Sequence, residues 1–195
     1  MKKSSLLIIF IFVMALSQIA AAQPDFIWHT VDTTFCRATN AAAADLDGDG
    51  DLDIIGASGR HGVHYWLNLG TFPPTYTEAH ILNRNFSVGY EVKVADFDDD
   101  GDIDIISTGS IDDNNYICIV KIWENLYPNF FCHDLNTNSR IRRPLGIHDI
   151  DNDNDIDIIV NGLDNGNQIL VYEYLANFEF SLHSCLLYTS PSPRD

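Results

Sequence analysis

An all-β chain assembled from repeated units is what this sequence predicts, and three observations carry the prediction. An acidic nine-residue run occurs three times at nearly constant spacing. Four short strand-like runs recur in the same order around each copy. No part of the repeated region shows the 3.6-residue apolar period of a helix. The acidic runs are Asp45-Leu46-Asp47-Gly48-Asp49-Gly50-Asp51-Leu52-Asp53, then 96–104, then 149–157. Asp45 to Asp96 is 51 residues and Asp96 to Asp149 is 53. Each run leads directly into a pair of isoleucines: Ile54-Ile55, Ile105-Ile106 and Ile158-Ile159.

The elements fall in order. A first strand precedes each acidic run, at Ala41–Ala44, Val92–Ala95 and Leu145–His148. The second follows it, at Ile54–Ser58, Ile105–Thr108 and Ile158–Asn161, where paired isoleucines suit a strand buried on both faces. The third alternates around an aromatic: Val63–Asn68 with Trp66, Ile117–Asn125 with Trp123, Gln168–Leu175 with Tyr172 and Tyr174. The fourth is Thr77–Leu82, Phe130–Leu135 and Phe178–Ser184. It carries a repeated histidine, at His80, His133 and His183, with His29 one repeat earlier. One histidine per unit places the rings apart, so they read as strand residues rather than a shared metal site.

Four short strands per unit is the signature of a β-propeller blade. The small residues Ala41–Ala44 suit strands crowding toward a propeller axis. Phe26–Val31 matches a fourth strand with no first three before it, as a mixed closing blade would require. The fold expected is a partial β-propeller of four-stranded blades, with about three blades in a protein that needs at least four to close.

Both ends stand outside this pattern. Residues 1–22 read as a secretory signal, with Lys2-Lys3, an apolar run from Leu6 to Leu16 and Ala20-Ala21-Ala22 before Gln23. That run is too short to span a bilayer comfortably, and no other stretch is long and apolar enough. The chain is therefore expected to be exported, with the repeats filling 23–184. Residues 185–195 break the pattern, and resemble the conceptual translation of a transposase-type sequencing adapter. They are read as not native, which places the natural continuation beyond this sequence.

The formal net charge is −17, and sixteen of the 28 acidic residues sit in the three runs. Nucleic acid is a poor partner for such a chain. Outside the suspect tail the cysteines are Cys36, Cys118 and Cys132. Export permits disulfides, and Cys118 and Cys132 fall on neighbouring predicted strands, but an odd count leaves their pairing open.

Carboxylates this close repel one another unless a cation sits among them. Aspartates at positions 1, 3 and 5, a backbone carbonyl at 7 and a side chain at 9 form an oxygen-rich cage that suits Ca²⁺ better than Mg²⁺. Glycine at position 6 (Gly50, Gly101) allows the sharp turn, and Asn154 tolerates the same left-handed backbone. An EF-hand would need a bidentate Glu at position 12 and helical flanks. Gly56, Ser107 and Val160 stand there instead, between β-branched runs.

Asp-x-Asp-x-Asp-Gly-Asp-x-Asp leading into Ile-Ile, with the aromatic third strand and the histidine-bearing fourth, resembles the FG-GAP/VCBS repeats of integrin-α-like propellers. The resemblance implies seven or eight blades, about three structural Ca²⁺ sites in this part of the chain, and a secreted or cell-surface role in adhesion or in recognising a protein or glycan. By the match, Asp45, Asp47, Asp49, Asp51 (through its carbonyl) and Asp53 carry the first site. Asp96, Asp98, Asp100, Asp102 and Asp104 carry the second, and Asp149, Asp151, Asp153, Asp155 and Asp157 the third.

Strand order puts the acidic runs at one end of each blade and most basic residues at the other. Arg60, Arg84, Arg140, Arg142 and Arg143 are the expected ligand-binding set, on a face that also carries acids. No catalytic constellation is visible, so the chain is expected to be non-enzymatic. The competing expectation is a propeller belonging to a carbohydrate-active enzyme such as a polysaccharide lyase, with its deciding region downstream.

Overall fold

The computed structural model describes residues 27–83, 88–110, 118–135, 141–162 and 168–185. Two units separate between Thr30 and Val31. Of the first, only residues 27–30 are described, and they contain no strand. The fourth strand expected at Phe26–Val31 is therefore not formed over Ile27–Val31, and Phe26 lies outside the described residues. A strand exists only by pairing, and none of the twelve strands pairs with this segment.

The second unit holds those twelve strands and, among the described residues, no helix. The first module is β1 (Ala38–Ala44), β2 (Asp53–Ser58), β3 (Gly62–Trp66) and β4 (His80–Asn83). The second is β5 (Val88–Ala95), β6 (Asp104–Ser110), β7 (Cys118–Leu126) and β8 (Asn129–Leu135). The third is β9 (Ile141–His148), β10 (Asp157–Gly162), β11 (Gln168–Ala176) and β12 (Glu179–Cys185). Neighbours pair antiparallel in chain order within each module. A single paired position, Cys118 opposite Ile141, links the second and third modules into one eight-stranded sheet. The fold is thus all-β, in three four-stranded antiparallel modules of the kind that make propeller blades.

Alternation along the strands assigns two faces to each module. Ile55, Ala57, Val63 and Tyr65 of the first pack with Val92, Ile105 and Trp123 of the second. The opposite face of the second, through Ile106, Cys118, Val120 and Ile122, packs with Ile158, Val160, Leu170 and Tyr172 of the third. In the second module both isoleucines after the acidic run are covered, because its strand lies between two neighbours, whereas Ile54 and Ile159 of the outer modules are half-buried. Ile105 and Ile106 are fully buried, one toward each neighbour.

The same register recurs in each module. Trp66 lies opposite Ile54, Trp123 opposite Ile105, and Tyr172 opposite Ile158. His80, His133 and His183 also occupy matching positions, opposite Tyr65, Ile122 and Val171. Each ring is satisfied locally. His80 stacks on Tyr65 with centroids 4.8 Å apart, while His133 and His183 pair with Glu124 at 2.8 Å and Glu173 at 2.5 Å. These are structural histidines.

Register also answers the question of the cysteines. Cys132 stands opposite Trp123, whereas Cys118 lies at the far end of β7. Cys36, Cys118 and Cys132 form no disulfide with one another.

Candidate metal centre

Each acidic run is the tight connection between the first and second strands of its module. Its path is set by two left-handed residues, at positions 4 and 6. Gly48, Asp99 and Asn152 have φ of 76°, 59° and 66°. Gly50, Gly101 and Asn154 have φ of 92°, 97° and 80°. Added Cβ atoms on Gly48, Gly50 or Gly101 would meet nothing within 4 Å, so the constraint there is conformational rather than steric. Position 6 is visible in the sequence. Position 4 is less so, because glycine, aspartate and asparagine share only a tolerance of this backbone.

The first aspartate organises the turn by accepting amides from inside it. Asp45 takes Gly48 and Gly50, each at 2.9 Å. Asp96 takes Gly101 at 3.0 Å. Asp149 takes Asn152 at 2.7 Å and Asn154 at 3.1 Å. Curling the backbone around this carboxylate brings positions 1, 3 and 9 together. In Asp45–Asp47–Asp53, Asp96–Asp98–Asp104 and Asp149–Asp151–Asp157, one oxygen from each residue lies within 4.8 Å of the other two.

Asp49, Asp100 and Asp153, at position 5, stand outside these triads. Their carboxylates cap the amides of Asp51, Asp102 and Asp155 at 2.9, 2.8 and 3.0 Å. At position 7, where the backbone carbonyl is the expected ligand, the Asp102 side chain is exposed and the Asp51 carboxylate lies against Gly70, where an added Cβ would come within 2.6 Å of it.

The ninth aspartate has a task that ligand spacing conceals. Asp53, Asp104 and Asp157 are 0 %, 1 % and 2 % exposed, and each carboxylate divides its oxygens between two backbone amides. One is the amide of position 2: Leu46 at 2.8 Å, Phe97 at 2.9 Å, Ile150 at 2.9 Å. The other belongs to the third strand or its end: Asn68 at 2.7 Å, Asn125 at 2.8 Å, Tyr174 at 3.1 Å. This clip fixes the loop to the sheet. Burial pushes the Asp104 carboxyl up to about 7 against the opposing pull of its two amides. Burial likewise raises Asp53 and, on the rim, Asp47 and Asp98, with neighbouring aspartates adding to the effect.

Two asparagines brace the loops and were not expected from the sequence. Asn68 Nδ2 donates to the Leu52 carbonyl at 3.2 Å, and Asn125 Nδ2 to that of Ile103 at 3.2 Å. Asn125 also donates to the Leu46 carbonyl of the first loop at 2.9 Å, tying two modules together. The signal was present as Trp66-x-Asn68 and Trp123-x-Asn125; the third unit has Tyr172-x-Tyr174.

The donor set fits a hard cation. In the second loop, Asp96 Oδ1 and Asp98 Oδ1 are buried and accept no hydrogen bond. Buried oxygens without a donor cost about 1–3 kcal/mol each, and more when charged. An ion bound by the triad would remove that cost and the repulsion that raises the neighbouring pKa values.

The basic set is only partly described. Arg60 is exposed on the turn between β2 and β3, at the end of β2 remote from the acidic loop. Arg84 and Arg140 lie outside the described residues, as do the side chains of Arg142 and Arg143 on β9.

Compared with known families, residues 45–107 match the FG-GAP-like repeat. That span runs from the first acidic loop through the second and into β6, and the four-stranded modules agree with it. Residues 45–107 thus carry an FG-GAP-like repeat. No curated protein matches the chain significantly. Among the described residues, no helix is long and apolar enough to cross a membrane.

Proposed function

We propose that this chain is an FG-GAP repeat protein, an exported, calcium-stabilised propeller module that recognises an extracellular protein or glycan and is not itself catalytic. One observation carries the calcium reading: three aspartate triads at the same loop positions, one of which holds two buried carboxylate oxygens without a donor. Asp45, Asp47 and Asp53 would hold one ion, Asp96, Asp98 and Asp104 a second, and Asp149, Asp151 and Asp157 a third. When bound, calcium supplies positive charge and oxygen coordination, with no redox or nucleophilic chemistry.

The rest is done by the chain. The first aspartate shapes the turn, the third brings a free oxygen, and the ninth transmits the loop's position to the third strand through its amide clip. Calcium in the range of about 10⁻⁴–10⁻³ M, typical of extracellular modules, suits sites with solvent-facing rims. Export is supported by the signal-like residues 1–22. Recognition rather than catalysis is supported by the commitment of the loop carboxylates to clips, caps and triads.

The test is thermal unfolding of the full chain in calcium and in chelator. Calcium should raise the midpoint, increasingly so as its concentration passes the dissociation constant. An unchanged midpoint rejects the calcium reading.

A further inference from the structure

The first module differs from the other two in one connection. Its third and fourth strands are joined by thirteen residues, 67–79, whereas β7–β8 and β11–β12 are joined by two each, Tyr127-Pro128 and Asn177-Phe178. The long connection leaves β3 at the end where the first acidic loop enters β2, because the two strands run antiparallel.

Its path is fixed by bonds within the loop. The Leu69 amide donates to the Thr75 carbonyl and the Thr77 amide to the Leu67 carbonyl, each at 2.9 Å. The Leu67 amide donates to Thr77 Oγ1 at 3.1 Å, and the Gly70 amide to Asn68 Oδ1 at 3.2 Å. Nearer the tip, the hydroxyls of Thr71 and Thr75 stand 2.7 Å apart, and Thr71 Oγ1 donates to the Pro73 carbonyl at 3.0 Å. A loop closed on itself in this way holds whatever its tip presents, and compact loops of this size are frequently functional.

What it presents is apolar. Phe72 is 97 % exposed and Leu69 is exposed beside it, so neither gives the fold the hydrophobic gain of burial. The acidic loop lies alongside: Asn68 Nδ2 donates to the Leu52 carbonyl at 3.2 Å, and the Leu52 side chain is exposed too. On the second module, Leu126 and Tyr127 are exposed, and the bond from Asn125 to the Leu46 carbonyl brings their turn to the first acidic loop. Apolar side chains from three connections therefore share this end with Asp49 and Asp51. Neither 38–59 nor 61–83 contains a lysine or arginine. Five aspartates against one divalent ion leave three negative charges, so this end stays acidic with the first metal site filled.

We propose that the 67–79 loop, the first acidic loop and the Leu126-Tyr127 turn form a docking surface for a basic peptide segment of an extracellular protein, one with apolar side chains among its lysines and arginines. This rests on the reading of the chain as a recognition module; it names the partner's chemistry and puts the contact at the end opposite Arg60. Phe72 and the leucines supply the apolar centre, and Asp49 and Asp51 the charged rim, a division common to protein interfaces. Charge selects the partner, since an anionic glycan or lipid surface meets repulsion here.

The test is fluorescence anisotropy of two labelled synthetic peptides of equal charge, one of lysine and leucine, the other of lysine and serine, titrated with the full chain in saturating calcium. The leucine peptide should bind about tenfold or more tighter than the serine peptide, and more weakly as salt rises. Phe72→Ser should weaken its binding by about tenfold or more, and Leu126→Ser, in another module, by a smaller factor. Both side chains are exposed, so the thermal midpoints of the variants should stay at the wild-type value. Equal binding of the two peptides overturns the proposal by reducing the surface to charge, and binding of neither overturns it outright. Binding to phosphatidylcholine–phosphatidylserine vesicles that Phe72→Ser abolishes, with none to the peptide, overturns it in favour of a membrane. Leucine-peptide binding that Phe72→Ser leaves unchanged overturns this surface while the recognition reading stands.

Discussion

The first and second modules place the same aromatic at the same register and surround it differently. Trp123 faces the first module and is buried in the core the two share. Trp66 faces away from the second module, yet it is only 3 % exposed. Its cover is the segment before β1: Phe35 packs edge-on at 4.9 Å, and Asp32 accepts the indole N–H at 3.3 Å. Asp32 is itself tied down by Thr34, whose amide and hydroxyl hydrogen bonds pull its pKa below the ordinary carboxylate value. The strand register dictates where an aromatic goes; what covers it is decided by whichever chain lies nearest. A module interface and a short local segment thus solve the same burial problem.

The largest expected difference tests this directly. Trp123→Ala should cost about 3–5 kcal/mol, because packed modules relax little around the cavity. Trp66→Ala should cost clearly less, since the Asp32–Phe35 segment can settle into the space. Urea unfolding measures both, and equal losses would mean that the segment packs as rigidly as a module.

Next come the clips. Asp104→Ala leaves the amides of Phe97 and Asn125 without acceptors, at about 2–4 kcal/mol. Asp53→Ala should cost a similar amount through Leu46 and Asn68, since the clip lies within each module and ignores its neighbours. A loss confined to the second module would break that reading.

The asparagines should separate the modules again, on a smaller scale. Asn125→Ala is expected to cost about 1–2 kcal/mol, because Asn125 holds carbonyls of two loops. Asn68→Ala, which releases two exposed bonds, to the Leu52 carbonyl and from the Gly70 amide, should cost less than about 1 kcal/mol. Hydrogen exchange in the first loop should quicken more in the Asn125 variant, whose bond to Leu46 is buried, than in the Asn68 variant.

The smallest effects concern the turns. Gly101→Ala should cost about 1–2 kcal/mol for its left-handed backbone alone. Asn154→Gly should change stability by no more than about 1 kcal/mol, since asparagine already adopts that conformation. Thermal midpoints suffice to rank the two.

Much of this architecture was legible because it repeats. The paired isoleucines, the aromatic third strand and the acidic run placed all twelve strands, though β1, β5 and β9 begin several residues earlier than their apolar runs suggest. In β1 those early residues, Ala38 to Asn40, pair without being buried, so hydrophobic pattern does not mark them. Ile141, which begins β9, is buried but stands apart from its apolar run. The ninth aspartate was legible in position but not in role, because a carboxylate that clips two amides and one that binds a cation have the same spelling.

The ninth-position clip also bears on how such a chain can be lengthened or shortened. Both amides that Asp53, Asp104 or Asp157 holds belong to its own unit, at separations of 7 and 15–21 residues. A duplication or deletion that moves a whole unit therefore carries each clip intact. The Asn125–Leu46 bond, spanning 79 residues, is the kind of contact severed at the junction. Unit number can drift by unequal exchange without any intermediate losing the bonds that hold a loop to its sheet.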